Sequence, residues 1–143
     1  MKTHLNLRTS DLEASVAYYK VLLNAEPAKR MDDYALFLTD DPGLELALDK
    51  GASVRLAESA HYGIVVETTS AVDEAIARLR DAGLPVKVER EETCCYAKQT
   101  KVWSSDPDGR RWEVYTVLEE ITERDDADST CCRDAQDTDA ACC

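Results

Sequence analysis

A chain of 143 residues with 44% hydrophobic content can bury one ordinary core, and its formal net charge of −12 restricts its partners. That acidity disfavours phosphate backbones and anionic lipid surfaces, so neither nucleic acid nor a membrane is an expected partner. No run of about 18 apolar residues exists to span a bilayer, and no apolar stretch follows Met1, which fits a cytoplasmic address; there, six cysteines speak for metal or thiol chemistry over a disulfide framework.

The first predicted element is a strand, His4-Leu5-Asn6-Leu7-Arg8, alternating polar and apolar. Ser10-Asp11-Leu12-Glu13 reads as a capping box with Ser10 at the N-cap, and Leu12, Val16, Tyr19 and Leu23 follow at helical spacing. Strand patterns then occupy Tyr34 to Leu38 and Leu44 to Leu48, separated by the turn Asp41-Pro42-Gly43.

The same order then repeats. His61 opens the strand His61-Tyr62-Gly63-Ile64-Val65-Val66, and Ser70, with Asp73 three residues on, reads as the cap of a helix carrying Val72, Ile76 and Leu79. Ala82-Gly83 and Pro85 stop it, and strands follow at Val86 to Glu89, Lys101 to Ser104 and Trp112 to Val117, the last preceded by the turn Asp106-Pro107-Asp108-Gly109. The helices align at an offset of 60 and the histidines at 57, which leaves about three residues of difference in the connection.

Strand alternation decides where the polar side chains point. With Leu5 and Leu7 toward the helix, His4 and Asn6 take the opposite face; His61 likewise lies opposite Tyr62 and Ile64, and Glu113 opposite Trp112 and Val114. His4 and His61, the only histidines, would then line one cavity with Glu113. Two imidazoles and a carboxylate fill three positions of a divalent metal and leave others open, the ligand set of non-haem Fe(II) oxygenases and also of some zinc hydrolases. Taken singly, each of the three is more readily an ordinary half-exposed strand residue; their matched placement in a repeat favours the metal. Turn alignment sets Glu45 against Glu113, and two readings stay open for it, a fourth ligand or a carboxylate at the cavity mouth.

Cys94-Cys95 forms a second constellation. Neighbouring alpha carbons about 3.8 Å apart are too close for an unstrained disulfide, so the pair suits a soft ligand if the segment is a loop. Lys98 and Lys101 would favour thiolates, and Glu91 and Glu92 oppose them. A buried structural cysteine beside an incidental surface one is the plain alternative. Residues 119–143 hold nine acidic residues against two arginines and no aromatic one, a balance of −7 that predicts a disordered tail after a domain of 1–118, with modules of about 1–57 and 58–118. The tail pairs Cys131-Cys132 and Cys142-Cys143 suit either delivery or sequestration of a thiophilic ion.

His4, His61 and Glu113 in paired βαβββ modules, with the Asp106-Pro107-Asp108-Gly109 turn, resemble the vicinal oxygen chelate superfamily, which includes glyoxalase I and extradiol dioxygenases. The runs Thr93-Cys94-Cys95-Tyr96-Ala97-Lys98-Gln99-Thr100-Lys101-Val102-Trp103 and Arg111-Trp112-Glu113-Val114-Tyr115, with the cysteine-bearing tail, are similar to its ArsI/CadI group of organoarsenical carbon-arsenic lyases and cadmium-induced relatives. The resemblance implies an α+β vicinal oxygen chelate fold and an Fe(II) enzyme that uses O2 to break the carbon-arsenic bond of a trivalent organoarsenical such as methylarsenite. It further implies that His4, His61 and Glu113 hold iron and that Cys94 and Cys95 bind the arsenic. A metal-sequestering resistance protein without turnover, or a glyoxalase-type isomerase using Glu45 and Glu113, are the rival expectations. A homodimer is compatible with the pattern, while paired modules make a site within one chain the simpler arrangement.

Overall fold

The computed structural model describes residues 1–53, 60–94 and 96–122, with Cys94 described in its backbone alone. Cys95, the boundary between residues 57 and 58, and the tail cysteines Cys131, Cys132, Cys142 and Cys143 lie outside the described residues.

Two βαβββ modules are present. The first comprises β1 (Thr3–Thr9), α1 (Leu12–Leu23), β2 (Lys29–Arg30), β3 (Tyr34–Thr39) and β4 (Leu44–Lys50); the second comprises β5 (His61–Val65), α2 (Thr69–Asp81), β6 (Lys87–Cys94), β7 (Ala97–Ser105) and β8 (Arg111–Glu120). Each module makes a four-stranded sheet, in the orders β1-β4-β3-β2 and β5-β8-β7-β6. In both, the first strand pairs in parallel with the last and sits at the sheet edge, with the remaining pairs antiparallel. This is the expected α+β vicinal oxygen chelate architecture.

The helix caps differ from the sequence expectation, and the difference restores the repeat. Asp11, not Ser10, caps α1, its carboxylate accepting from the Ala14 amide at 3.0 Å, because the Ser10 hydroxyl is donated to Asp108 in the other module at 2.8 Å. Thr68, not Ser70, caps α2 by accepting from Ala71. The caps stand 57 residues apart, as do the histidines, so the two modules stay in step from strand to helix.

Both helices lie between the sheets. α1 packs on β3 and β4, α2 on β7 and β8, and the helices touch each other. Leu12, Val16, Tyr19 and Leu23 of α1 and Val72, Ile76 and Leu79 of α2 share one core with Leu7, Phe37, Leu46, Ile64, Trp112 and Val114 from the inner sheet faces. Fully burying an aliphatic side chain of this kind contributes roughly 1.5–3 kcal/mol, so the stripes suffice to dock the helices. Tyr19 carries the inter-module contact: it packs edge-on to Trp112 and against Phe37, and donates its hydroxyl to Asp106 at 2.8 Å. Burial and the neighbouring Asp106 charge push the Tyr19 phenol far up, so it stays a neutral donor.

The hairpin of β6 and β7 is longer than the hydrophobic pattern predicts. The segment around Cys94, which the soft-ligand reading requires to be a loop, is strand apart from its tip, and Cys94 pairs with Ala97. Charged residues hide the alternation there: Glu92 opposes Gln99 and Thr93 opposes Lys98. The ladder is irregular between Glu89 and Glu92, where Glu91 takes φ 53°, and again between Lys98 and Gln99 on the other side of β7. β8 continues to Glu120, with Glu119 opposite Lys98, so the strand runs past the point at which the acidic composition begins.

Candidate metal centre

The polar face of each sheet points away from the shared helical core. On β1, His4, Asn6 and Arg8 are exposed while Leu7 and Thr9 are buried; on β5, His61, Gly63 and Val65 are exposed while Ile64 is buried. Strand alternation therefore puts the histidines where the sequence predicts.

The structure gathers the predicted ligands into two pairs. His4 stands directly opposite Glu45, and its Nδ1 lies 3.3 Å from Glu45 Oε1, with side chains 56% and 42% exposed. His61 Nε2 lies 3.6 Å from Glu113 Oε1, in a more enclosed setting. Among the described residues, no three His, Cys, Asp or Glu side chains come together to hold a metal. The two pairs belong to different sheets, His4 and Glu45 to the first and His61 and Glu113 to the second.

The register also revises the correspondence between the modules. Glu45 is level with His4, and the residue level with His61 is Arg111; Glu113 is level with Gly63. In the repeat, Glu45 thus matches Arg111 and not Glu113. Counting from the turn glycines gives the same result, since Glu45 lies two residues after Gly43 and Arg111 two after Gly109.

Around Glu113 is a built polar setting. Gly63 leaves the room for it: a Cβ at that position would come within 3.2 Å of Glu113 Oε1 and 3.0 Å of the Tyr115 ring. Lys101 Nζ approaches Glu113 Oε2 at 3.1 Å, and both side chains are more than nine-tenths buried. Nonetheless Oε2 has no directional hydrogen bond among the described residues, a costly condition for a buried carboxylate oxygen. Trp103 packs edge-on to His61 with ring centroids 5.2 Å apart, donates its indole N–H to Glu89 at 3.1 Å, and carries the Arg111 guanidinium over its face. Burial raises the Tyr115 phenol, reinforced by the Glu113 charge and opposed by Lys101.

This setting fits half of a divalent-metal site. An imidazole and a carboxylate oxygen converge and no β-carbon obstructs them, while the second carboxylate oxygen faces Lys101. Sequence reasoning did not single out Gly63, Trp103 or Tyr115. The signal was available in the two-residue spacing of Lys101, Trp103 and Ser105 and of Arg111, Glu113 and Tyr115, which puts each set on one strand face.

Cys94 ends β6 at the hairpin tip, where Ala97 pairs with Glu120. At about 3.3 Å per strand residue, that level lies roughly 20 Å along the sheet from Glu113. The lysines expected to favour thiolates are engaged elsewhere: Lys98 pairs with Glu91 at 2.9 Å, which raises the lysine and lowers the glutamate, and Lys101 pairs with Glu113.

Comparison with known proteins places these features in a family. Residues 3–114 match the model of the Glyoxalase/Bleomycin resistance protein/Dioxygenase superfamily. The chain is 46% identical over 119 residues to the cadmium-induced protein CadI of Mycobacterium tuberculosis, covering 82% of this chain and 76% of that one. It is 39% identical over 142 residues to the trivalent organoarsenical cleaving enzyme of Thermomonospora curvata, covering 99% and 87%. Its fold matches a crystal structure of a glyoxalase/bleomycin resistance protein/dioxygenase from Alicyclobacillus acidocaldarius with TM-score 0.66 at 18% identity, covering 83% and 92% of the two chains.

Proposed function

Because the chain belongs to the Glyoxalase/Bleomycin resistance protein/Dioxygenase superfamily, we propose that it cleaves the carbon-arsenic bond of trivalent organoarsenicals such as methylarsenite with Fe(II) as cofactor and O2 as co-substrate, one oxygen atom leaving in arsenite and the other on the methyl carbon, which leaves as formaldehyde. The likeness to the T. curvata organoarsenical cleaving enzyme, which extends over nearly the whole chain, carries the substrate class. The convergence of His61 and Glu113 over Gly63 supports the metal.

In this reading the iron is held by His61 and Glu113 of one chain and His4 of a second copy. A second copy enters this reading because, among the described residues, one chain does not bring a third ligand to His61 and Glu113. Val65, 61% exposed beside His61 on the edge strand β5, gives such a contact an apolar component. Iron bound there would supply dioxygen activation. Glu45 acts as the orienter of His4, accepting from Nδ1–H so that Nε2 is left for the metal.

Cys94 and Cys95 take the arsenic. The two thiols displace the two hydroxyls of methylarsenite as water, forming two arsenic-sulfur bonds and leaving the methyl group as the third substituent. Soft sulfur for arsenic and harder nitrogen and oxygen for iron keep the two sites from competing. The ladder irregularities at Glu89/Glu92 and Lys98/Gln99 support a hairpin able to bend at those points, and Trp103 and Tyr115 flank His61 and Glu113. Pentavalent arsenicals, which lack free valences for two thiolates, are not substrates.

A mixing experiment tests this arrangement with turnover as its readout. His4→Ala and His61→Ala are each inactive alone; when co-refolded, mixed dimers regain one complete site, and arsenite release returns to about a quarter of the wild-type rate. Continued inactivity of the mixture, with dimers present, contradicts a site shared between copies. The likeness to CadI supports a second reading, a sink in which the cysteines hold a soft cation as cargo.

A further inference from the structure

We infer that Lys101 is a positioning residue that makes Glu113 present a single oxygen to the metal, an inference that rests on the proposed metal site. The two carboxylate oxygens have different surroundings. Oε1 faces His61 Nε2 at 3.6 Å, with the vacancy over Gly63 beside it. Oε2 faces Lys101 Nζ at 3.1 Å.

Lys101 is held where it can do this. Its strand neighbour across β8 is Tyr115 and across β6 is Glu89, and its ammonium lies over the Trp103 ring at 5.3 Å and the Tyr115 ring at 5.8 Å. Two aromatic faces and a carboxylate fix a cation that is otherwise costly to bury. A lysine placed merely to hold β7 against β8 would need no such cage.

Two consequences follow from charge and from occupancy. The ammonium opposes a divalent cation bound at Oε1, so it lowers metal affinity. By occupying Oε2 it also prevents both oxygens from closing on the metal, and thereby keeps one more position for an exchangeable ligand. An ordinary outer-shell group that supports its ligand does the reverse, and its loss weakens metal binding.

Manganese(II) is a suitable probe, since its affinity and its effect on water-proton relaxation are measurable without turnover. For Lys101→Met the expected result is Mn(II) binding at least about tenfold tighter than wild type, with bound Mn(II) relaxing water protons less because a carboxylate oxygen replaces a water. Lys101→Gln keeps a polar group beside Oε2 without the charge, so its affinity rises while relaxation stays near wild type. Affinity equal to or weaker than wild type in folded Lys101→Met overturns the inference; should that variant not fold, the same outcome in Lys101→Gln does so. Wild-type protein that binds no Mn(II), or whose binding survives His61→Ala, overturns the metal site and this inference together, whereas wild-type binding that depends on His61 but ignores Lys101 overturns only the inference.

Discussion

His61 and Glu113 reach each other diagonally across Gly63. The sheet register sets Glu113 opposite Gly63 and His61 opposite Arg111, yet His61 Nε2 and Glu113 Oε1 are 3.6 Å apart because nothing stands on residue 63. Gly63→Ala puts a β-carbon 3.0 Å from the Tyr115 ring and 3.2 Å from Glu113 Oε1. The expected outcome is a modest stability loss, about 1–3 kcal/mol, with divalent-metal affinity down at least about tenfold. Isothermal titration with metal alongside urea unfolding separates the two, and unchanged metal affinity contradicts the role assigned to the glycine.

Glu45 is argued to orient His4 and not to bind metal. Glu45→Ala therefore weakens metal binding by about tenfold, while Glu45→Gln, whose amide oxygen still accepts from the imidazole, stays within a few-fold of wild type. A ligand would lose affinity in both variants. Equal, large losses would make Glu45 a metal ligand after all.

Arg110 ties the two modules together. It pairs with Asp106 at 2.9 Å and Asp108 at 3.2 Å, and donates to the carbonyl of Arg8 in the other module. Its loss leaves the buried Asp106 carboxylate, which also accepts from Tyr19, without its cation. Arg110→Met should cost about 3–5 kcal/mol in urea unfolding; a loss under about 1 kcal/mol would show the knot to be dispensable.

Acid sensitivity should trace to Asp108. Although burial pushes its carboxyl up, hydrogen bonds from Thr9, Ser10 and Ser53 outweigh that and hold it at about 2 against an ordinary 3.8. A lowered folded pKa stabilises above the unfolded value, and that stabilisation is lost as pH falls from about 4 to about 2. Thermal unfolding across this window should be steeper with pH for wild type than for Asp108→Asn. Parallel profiles would assign the acid loss to other groups.

Much of this architecture was legible in the residues, because amphipathic period and turn chemistry state it directly. The repeat from His4 to His61 gave both modules, and alternation around Leu7, Ile64 and Val114 gave the faces of the histidines and Glu113. Three things were not legible. Ser10 reads as a better cap than its neighbour, but its hydroxyl is drawn off by Asp108, nearly a hundred residues away, which no local pattern carries. The strand at Glu91 to Cys94 is edge-exposed and charged, so it lacks the apolar period that marks a strand. The pairing of His4 with Glu45, apart from His61 and Glu113, depends on strand register within each sheet and on how the modules pack through Tyr19 and Trp112, and not on any motif.

The most direct test of the proposed chemistry is arsenite release from methylarsenite by anaerobically reconstituted Fe(II) protein, measured before and after oxygen is admitted. The account predicts none without oxygen, then arsenite in multiples of the protein concentration, abolished by Cys94→Ser or Cys95→Ser in protein that still binds iron. Oxygen-independent release, or arsenical uptake that saturates at a few equivalents per chain with no arsenite formed, would contradict it.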